Sequence, residues 1–349
     1  GDDTFLIEGT DSAFDTFNGG EGRDRILGGT GDDTIRLRGF GVSNSIEIID
    51  GGPGDNRIAG TRGYDTIDLS ATIVRNIDRI DGGAGNDVLT GTPNDDRMIG
   101  GPGRDLLNGG GGDDTFLIEG TDSAFDTFNG GEGRDRILGG TGDDTIRLRG
   151  FGVGNSIEII DGGPGDNRIA GTRGYDHIDL STVALHNIDR IEAGAGNDTV
   201  IGSSGADTIA GGTGRDRLEG GPGDDTYRFL RGDGRDTIFD QDAAPNSDRL
   251  VFGGGVAHDQ LWFSRLGDDL QVDLIGTGDR VTIDGWYLGE DRQLEWFRAG
   301  DGLSLSNTRV DQLVQAMAAF EPPASGETSL PPELQAQLDP VLAANWQPG

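Results

Sequence analysis

Lysine and cysteine are both missing from this chain of 349 residues, and histidine occurs only three times. Without lysine every positive side chain is arginine, which removes lysine-based phosphate loops and Schiff-base chemistry. Without cysteine there is no disulfide framework, thiolate metal site or cysteine nucleophile, and the redox compartment stays open. His177, His186 and His258 share no pattern and read as surface or packing residues. No run of about eighteen apolar residues is present to span a bilayer. With 33% hydrophobic residues, an ordinary large core is not expected. Positive charge is scarce too: 28 basic residues face 62 acidic ones, for a net charge of −34. Such a chain repels itself when compact and repels nucleic acid and anionic membrane surfaces. Cations are its natural partners.

What the chain has in abundance is glycine, 65 residues of it, placed with long-range order. Residues 1–111 recur almost word for word from Gly112, and the copies drift apart only after about Tyr64 and Tyr175. A third copy opens at Gly223 as GDDTYRF and then departs. Gly1 lies inside a smaller unit and is not preceded by an initiator methionine, as expected of a piece of a longer protein. The expected divisions are two long blocks at 1–111 and 112–222, a degenerate transition at 223–247, a β-rich cap at 248–306, and a helix and tail at 307–349.

Inside each long copy runs a nine-residue period. Asp78, Asp87, Asp96, Asp105 and Asp114 form one unbroken series, and Asp189, Asp198, Asp207, Asp216 and Asp225 another. Two positions after each aspartate comes an apolar residue, such as Ile80, Leu89, Met98, Leu107 and Phe116. Polar, apolar, polar predicts a three-residue strand with one side chain pointing inward, and the glycine cluster is the turn that follows. The glycine content excludes a helix. The units are expected to stack as a coil of short parallel strands. One buried apolar side chain per nine residues does not offset the entropy of ordering nine residues, so such a coil needs a further source of stability. A divalent cation bound by oxygen supplies it. Glycine turns present carbonyls beside one carboxylate, a donor set that suits calcium, whereas magnesium holds its waters and demands stricter geometry. Zinc and copper want histidine or cysteine. An isolated aspartate after glycine is more often a turn residue capping its own backbone. A carboxylate repeated every nine residues argues for ligation instead.

GGTGDDTIR at 28–36, GGAGNDVLT at 82–90, GGPGRDLLN at 100–108, GGTGRDRLE at 211–219 and GGPGDDTYR at 220–228 resemble the RTX nonapeptide, G-G-x-G-x-D-x-U-x, a calcium-binding repeat. The resemblance covers most of residues 1–240. It implies an all-β fold, a right-handed parallel β-roll with two nonapeptides per coil and multiple calcium ions held between like-facing turns. The ligands it implies are the sixth-position carboxylates together with turn carbonyls. The carboxylates are Asp24, Asp33, Asp65, Asp87, Asp96, Asp105, Asp114, Asp135, Asp144, Asp176, Asp198, Asp207, Asp216 and Asp225. The glycines are Gly82, Gly83 and Gly85, Gly100, Gly101 and Gly103, Gly109, Gly110 and Gly112, Gly194 and Gly196, Gly211, Gly212 and Gly214, and Gly220, Gly221 and Gly223. Departures are expected to matter. Asn56 and Asn167 hold the sixth position in GGPGDNRIA, which loses a charge and predicts weak or empty sites. Asp15, Asp78, Asp126 and Asp189 lack the preceding glycine cluster and are expected to begin runs. The stretches RLRGFGVSNSIEIID and LSATIVRNIDRID break the register and predict longer strands or protruding loops.

Beyond about Asp248 glycine thins out and all four tryptophans appear. Segments such as QLWFSRL and DRVTIDGW predict a small antiparallel β unit, and NTRVDQLVQAMAAF from Asn307 spaces Val310, Leu313, Val314 and Met317 on one helical face. This end resembles the haemolysin-type calcium-binding related domain that follows RTX arrays. By that resemblance it caps the roll, and the tail carries a signal for the type I secretion machinery. The expected function is a calcium-binding module of a larger secreted or cell-surface protein, folding on calcium after export. The alternative is a repetitive stalk or adhesin segment. No enzyme is expected, because the periodicity of the carboxylates argues for ligation over acid–base work. Arg231-Gly232-Asp233 spells a cell-attachment tripeptide, and Asn197-Asp198-Thr199 a glycosylation sequon. Inside degenerate repeats both read as chance.

Overall fold

The computed structural model describes every residue except 10–13, 119–123, 242–245 and 325. The chain forms two compact units. The first comprises Gly1–Leu148, Val153–Arg168 and Leu185–Ile188, and the second Arg149–Gly152, Ile169–Ala184 and Asp189–Gly349. Among the described residues no helix is long and apolar enough to cross a membrane.

The first unit is a parallel β-solenoid. Along one of its ladders Ile35, Ile58, Ile80, Met98, Phe116, Ile137 and Ile160 lie in register on successive three-residue strands. A second ladder stacks Phe40, Ile67, Leu89, Leu107 and Phe128. These side chains are at most 4% exposed, so the one apolar residue of each nonapeptide forms the core. Leu89 pairs with Leu107 and Met98 with Phe116, each eighteen residues on, which is two nonapeptides per coil; elsewhere the coil is longer, as from Ile35 to Ile58 and from Leu107 to Phe128. Where the register breaks the strands do not lengthen. Gly39–Phe40 is only two residues long, and the excess forms a 3₁₀ turn at Val42–Asn44 that leaves Val42 80% exposed. Asn44 closes this turn by accepting the Gly41 N–H on Oδ1 (3.0 Å) and anchors it to the preceding coil by donating Nδ2 to the Phe17 carbonyl (2.8 Å). In the second register-breaking stretch Asn76 Nδ2 donates to Asp50 at 2.7 Å.

The second unit opens with the same parallel pairing and ends antiparallel. Ile191, Ile209, Tyr227 and Leu250 continue one ladder, and Leu250 pairs in parallel with Phe297. Trp296–Arg298 then pairs antiparallel with Leu303–Ser306. On the other ladder Arg280–Ile283 accepts the antiparallel hairpin of Leu261–Leu266 and Asp269–Leu274. The parallel coil thus runs without interruption into the tryptophan-containing segment. That end has a conventional core: Phe263 packs edge-on to Phe297 at 5.6 Å, and Trp286 lies 5.7 Å from Phe297. Helix α1 (Asn307–Met317) buries Val310, Leu313 and Met317 as the spacing predicts, with Val314 at the edge of the face. Helix α2 (Pro332–Asn345) buries Leu338 and Leu342.

Candidate metal centres

Each sixth-position aspartate immediately precedes a strand whose inward apolar residue lies two positions on. In an extended chain positions i and i+2 share a face, so burying Leu89 also carries Asp87 under the turn. Thirteen of the fourteen carboxylates named from the sequence are buried, and Asp96 is half-buried.

The carboxylates form columns. In the first unit the backbone N–H of Asp65 donates to Asp87 Oδ1 (2.8 Å), that of Asp87 to Asp105 Oδ1 (2.7 Å), and that of Asp105 to Asp126 Oδ1 (2.9 Å). A second column runs from Asp96 through Asp114 and Asp135 to Glu158. The second unit has Asp176, Asp198, Asp216 and Asp236 in one column, and Asp207, Asp225, Asp248 and Glu295 in another. Asp236, Asp248, Glu158 and Glu295, together with Glu47 above Asp24, were not singled out from the sequence. Their signal was present: each is an acidic residue two positions before a buried apolar one, without the full glycine cluster, of which only Asp236 keeps a part in Gly232 and Gly234. Asp78 and Asp126, expected to begin runs, sit at column ends and accept the N–H of Asn56 and Asp105.

The remaining carboxylate oxygen divides the positions into two geometries. At Asp24, Asp87, Asp114, Asp135, Asp198 and Asp216 the Oδ2 atom is buried and has no hydrogen-bond partner. At Asp33, Asp65, Asp96, Asp144, Asp176 and Asp207 the Oδ2 atom accepts the N–H of the residue four positions earlier, at 2.6–2.7 Å, although the other oxygen of Asp65 and Asp176, Oδ1, is itself buried without a hydrogen-bond partner. Thr92, Thr172 and Ser203 add their hydroxyls. These six carboxylates do cap their own turns, the role that periodicity had set aside. The difference follows the second position of the nonapeptide. Glycine there adopts the left-handed region in the first group, as at Gly83 (φ 95°) and Gly212 (φ 89°). Thr61, Thr92, Thr172 and Ser203 do not enter it, since a β-carbon is penalised there, and the second-position N–H instead meets the carboxylate. Gly29 and Gly140 follow the threonine pattern although they are glycine.

The first geometry is what a cation needs. A β-carbon built on Gly82 would sit 2.7 Å from the Gly100 carbonyl oxygen of the next coil and 2.9 Å from Asp87 Oδ2. Two acceptor oxygens therefore converge on one small volume with no hydrogen between them. Gly109 stands likewise between Asp114 Oδ2 and the Gly130 carbonyl, and Gly130 between Asp135 Oδ2 and the Ser156 carbonyl. Ala193 takes the first position of the Asp198 turn, where the other turns of this group carry glycine. Among the described residues no three acidic or histidine side chains converge on one point. An ion here would therefore be held by no more than two carboxylates together with backbone carbonyls, the donor set of a hard cation such as calcium.

Burial raises Asp87, Asp114, Asp135, Asp198 and Asp216 out of the usual range. Desolvation, opposed by a backbone hydrogen bond and reinforced by neighbouring carboxylates, pushes Asp87 and Asp198 up to about 6 and Asp114 up to about 7. Asp236 rises to about 8 from the same causes. A buried anionic oxygen with no partner is costly, and a bound cation removes that cost.

Comparison with known proteins bears on the same turns. The family described as the RTX calcium-binding nonapeptide repeat (4 copies) matches residues 10–39, 48–71, 76–107, 90–117, 121–150, 159–180, 187–216 and 201–238, more than half of the chain. Among solved structures the chain is similar to the extracellular lipase LipA from Serratia marcescens at 22% identity, covering 67% of this chain and 43% of that one, with a TM-score of 0.29. The chain thus spans less than half the length of that lipase.

Proposed function

This chain belongs to the RTX calcium-binding nonapeptide repeat family, and from that premise we propose that it is a calcium-dependent folding module of a larger secreted protein, without catalysis of its own. The observation that carries this reading is the convergence of a buried, unpartnered aspartate oxygen and a neighbouring-coil carbonyl on the space left by a first-position glycine. Asp24, Asp87, Asp114 and Asp135 would hold ions first, with the neighbouring-coil carbonyls beside them. Asp216 has the unpartnered oxygen, but only its own carboxylate lies closest to Gly211. Asp198, with Ala193 in place of the first-position glycine, and the six self-capping positions would bind more weakly. Calcium supplies positive charge and an oxygen-seeking coordination shell. The chain's own residues orient the carbonyls, exclude water with the stacked apolar ladder, and hold each carboxylate through the N–H of the preceding coil.

With a net charge of −34 and little apolar content the chain stays disordered where calcium is scarce, which suits passage through the type I secretion machinery on a signal in the tail. Outside the cell, calcium at about 10⁻⁴ to 10⁻³ M is the range in which extracellular sites fill. The close identity of the two long copies also suits a repetitive stalk, and further long copies in the parent protein would favour that reading. The test is calcium binding to the whole chain by equilibrium dialysis against excess magnesium. Several ions bound at millimolar calcium or below support the proposal; no binding, or displacement by equimolar magnesium, refutes it.

A further inference from the structure

Asn56 and Asn167 stand where the other turns carry aspartate, and the fold uses their amides in a way the sequence did not disclose. Both are fully buried. Each Oδ1 keeps the column intact by accepting the N–H of Asp33 (2.8 Å) or Asp144 (2.9 Å), which fixes the orientation of the amide. The Nδ2 atom of Asn56 then donates to the carbonyls of Gly52 (2.9 Å), Gly54 (3.2 Å) and Asn76 (3.0 Å). In the second copy Asn167 Nδ2 donates to the carbonyls of Gly163 (2.8 Å) and Asn187 (3.0 Å). The turns themselves are of the ion-cradling kind, with left-handed Gly52 and Gly54 (φ 72° and 133°) matching Gly83 and Gly85 (95° and 150°). The Asn76 carbonyl faces the space beside Gly51 as the Gly100 carbonyl faces that beside Gly82. At Asp87 that carbonyl meets an unpartnered oxygen. At Asn56 it meets an N–H.

We propose that Asn56 and Asn167 are built-in replacements for calcium: at these two turns the side-chain amide, in place of an ion, joins successive coils, and neither turn binds a metal. The proposal rests on the reading of the aspartate turns as calcium sites and goes beyond it, because a lost charge alone would leave a weak or empty site. Here the site is filled. An entering cation would face the amide hydrogens. Turning the amide over would set its NH₂ against the Asp33 or Asp144 N–H and lose the column bond as well. The two steps therefore need no calcium and stay closed at concentrations that leave the aspartate turns open. They do not make the solenoid self-sufficient, since they join only one step in each long copy.

The test compares calcium stoichiometry, by equilibrium dialysis, and the calcium midpoint of folding, by circular dichroism, across whole-chain variants. The double variant Asn56→Asp/Asn167→Asp is expected to bind two more ions than the parent and to need more calcium to fold. Asp87→Asn is expected to bind one ion fewer with a midpoint no higher than the parent's. Asp87→Ala, which supplies neither charge nor amide, is expected to bind one ion fewer with a midpoint raised several-fold. If the parent binds calcium but the double variant gains no ions, or if Asp87→Asn behaves as Asp87→Ala, the assignment is wrong while the calcium reading stands. A parent that binds no calcium overturns both.

Discussion

Gly101→Ala tests the idea that the glycine clusters exist to let one coil's turn approach the next. Gly101 lies at φ 90°, and a β-carbon there would overlap the Gly83 carbonyl oxygen and sit 2.9 Å from its carbon. An L-residue in the left-handed region costs about 1–2 kcal/mol, and relieving the overlap about 1–3 kcal/mol more. Ten residues on, Gly111 is the matched control: its φ is not positive, and its β-carbon would meet only Pro93 at 3.6 Å, an ordinary contact. Because a tenfold change in an equilibrium constant is about 1.4 kcal/mol, a loss of 2 kcal/mol falling on one ion lowers its affinity about 30-fold, and a larger loss removes the site. Calcium titration of the whole chain by far-ultraviolet circular dichroism should therefore show a raised midpoint for Gly101→Ala and an unchanged one for Gly111→Ala. Identical titrations of the two variants would refute the close-approach argument.

Other expectations follow from the same geometry. Without calcium, burial in the folded form should hold Asp87 and Asp198 at about 6 and Asp114 at about 7, above the roughly 3.9 of an unfolded aspartate. Their protonation therefore favours the folded form, fully below about pH 4, and that support is lost as pH rises through 6 to 7. Acidifying the calcium-free chain should raise its β content, and a fall in β content would contradict the assignment. Phe116 is fully buried and packs edge-on to Phe128 at 5.6 Å. Phe116→Ala should lower the urea stability of the calcium-loaded chain by about 3–5 kcal/mol, against about 0.5 kcal/mol or less for the partly exposed Leu106→Ala; equal effects would discredit the inward ladder. Asp114→Ala should remove a bound ion, while Asp96→Ala, whose carboxylate caps its own turn, should mainly loosen that turn; the reverse order in dialysis would invalidate the division into two geometries.

The strands were legible because two periods coincide: the alternation around Ile80, Met98 and Phe116 sets the inward face, and the nine-residue spacing brings that face round again. The column positions of Asp87 and Asp114 follow from the same pattern. The two carboxylate geometries were not legible, since they turn on the sign of φ at one residue. Thr92 and Ser203 hint at it, but Gly29 and Gly140 adopt the capping form with no side chain to require it. Glu47, Glu158 and Glu295 escaped notice because a column needs only an acceptor at the right height and not a glycine turn. The register-breaking stretch after Arg36 was expected to hold longer strands or loops. It holds a loop, anchored to the preceding coil by the Asn44 amide on the Phe17 carbonyl.

The central claim is that this backbone does not hold its coils together without bound cations. Amide hydrogen exchange on the whole chain at neutral pH tests it most directly, read at Leu89, Met98 and Leu107, which lie on fully paired ladders. With millimolar calcium these amides should be strongly protected, and after removal of calcium they should exchange at the rates of an unstructured chain. Protection that survives complete removal of calcium would contradict the account.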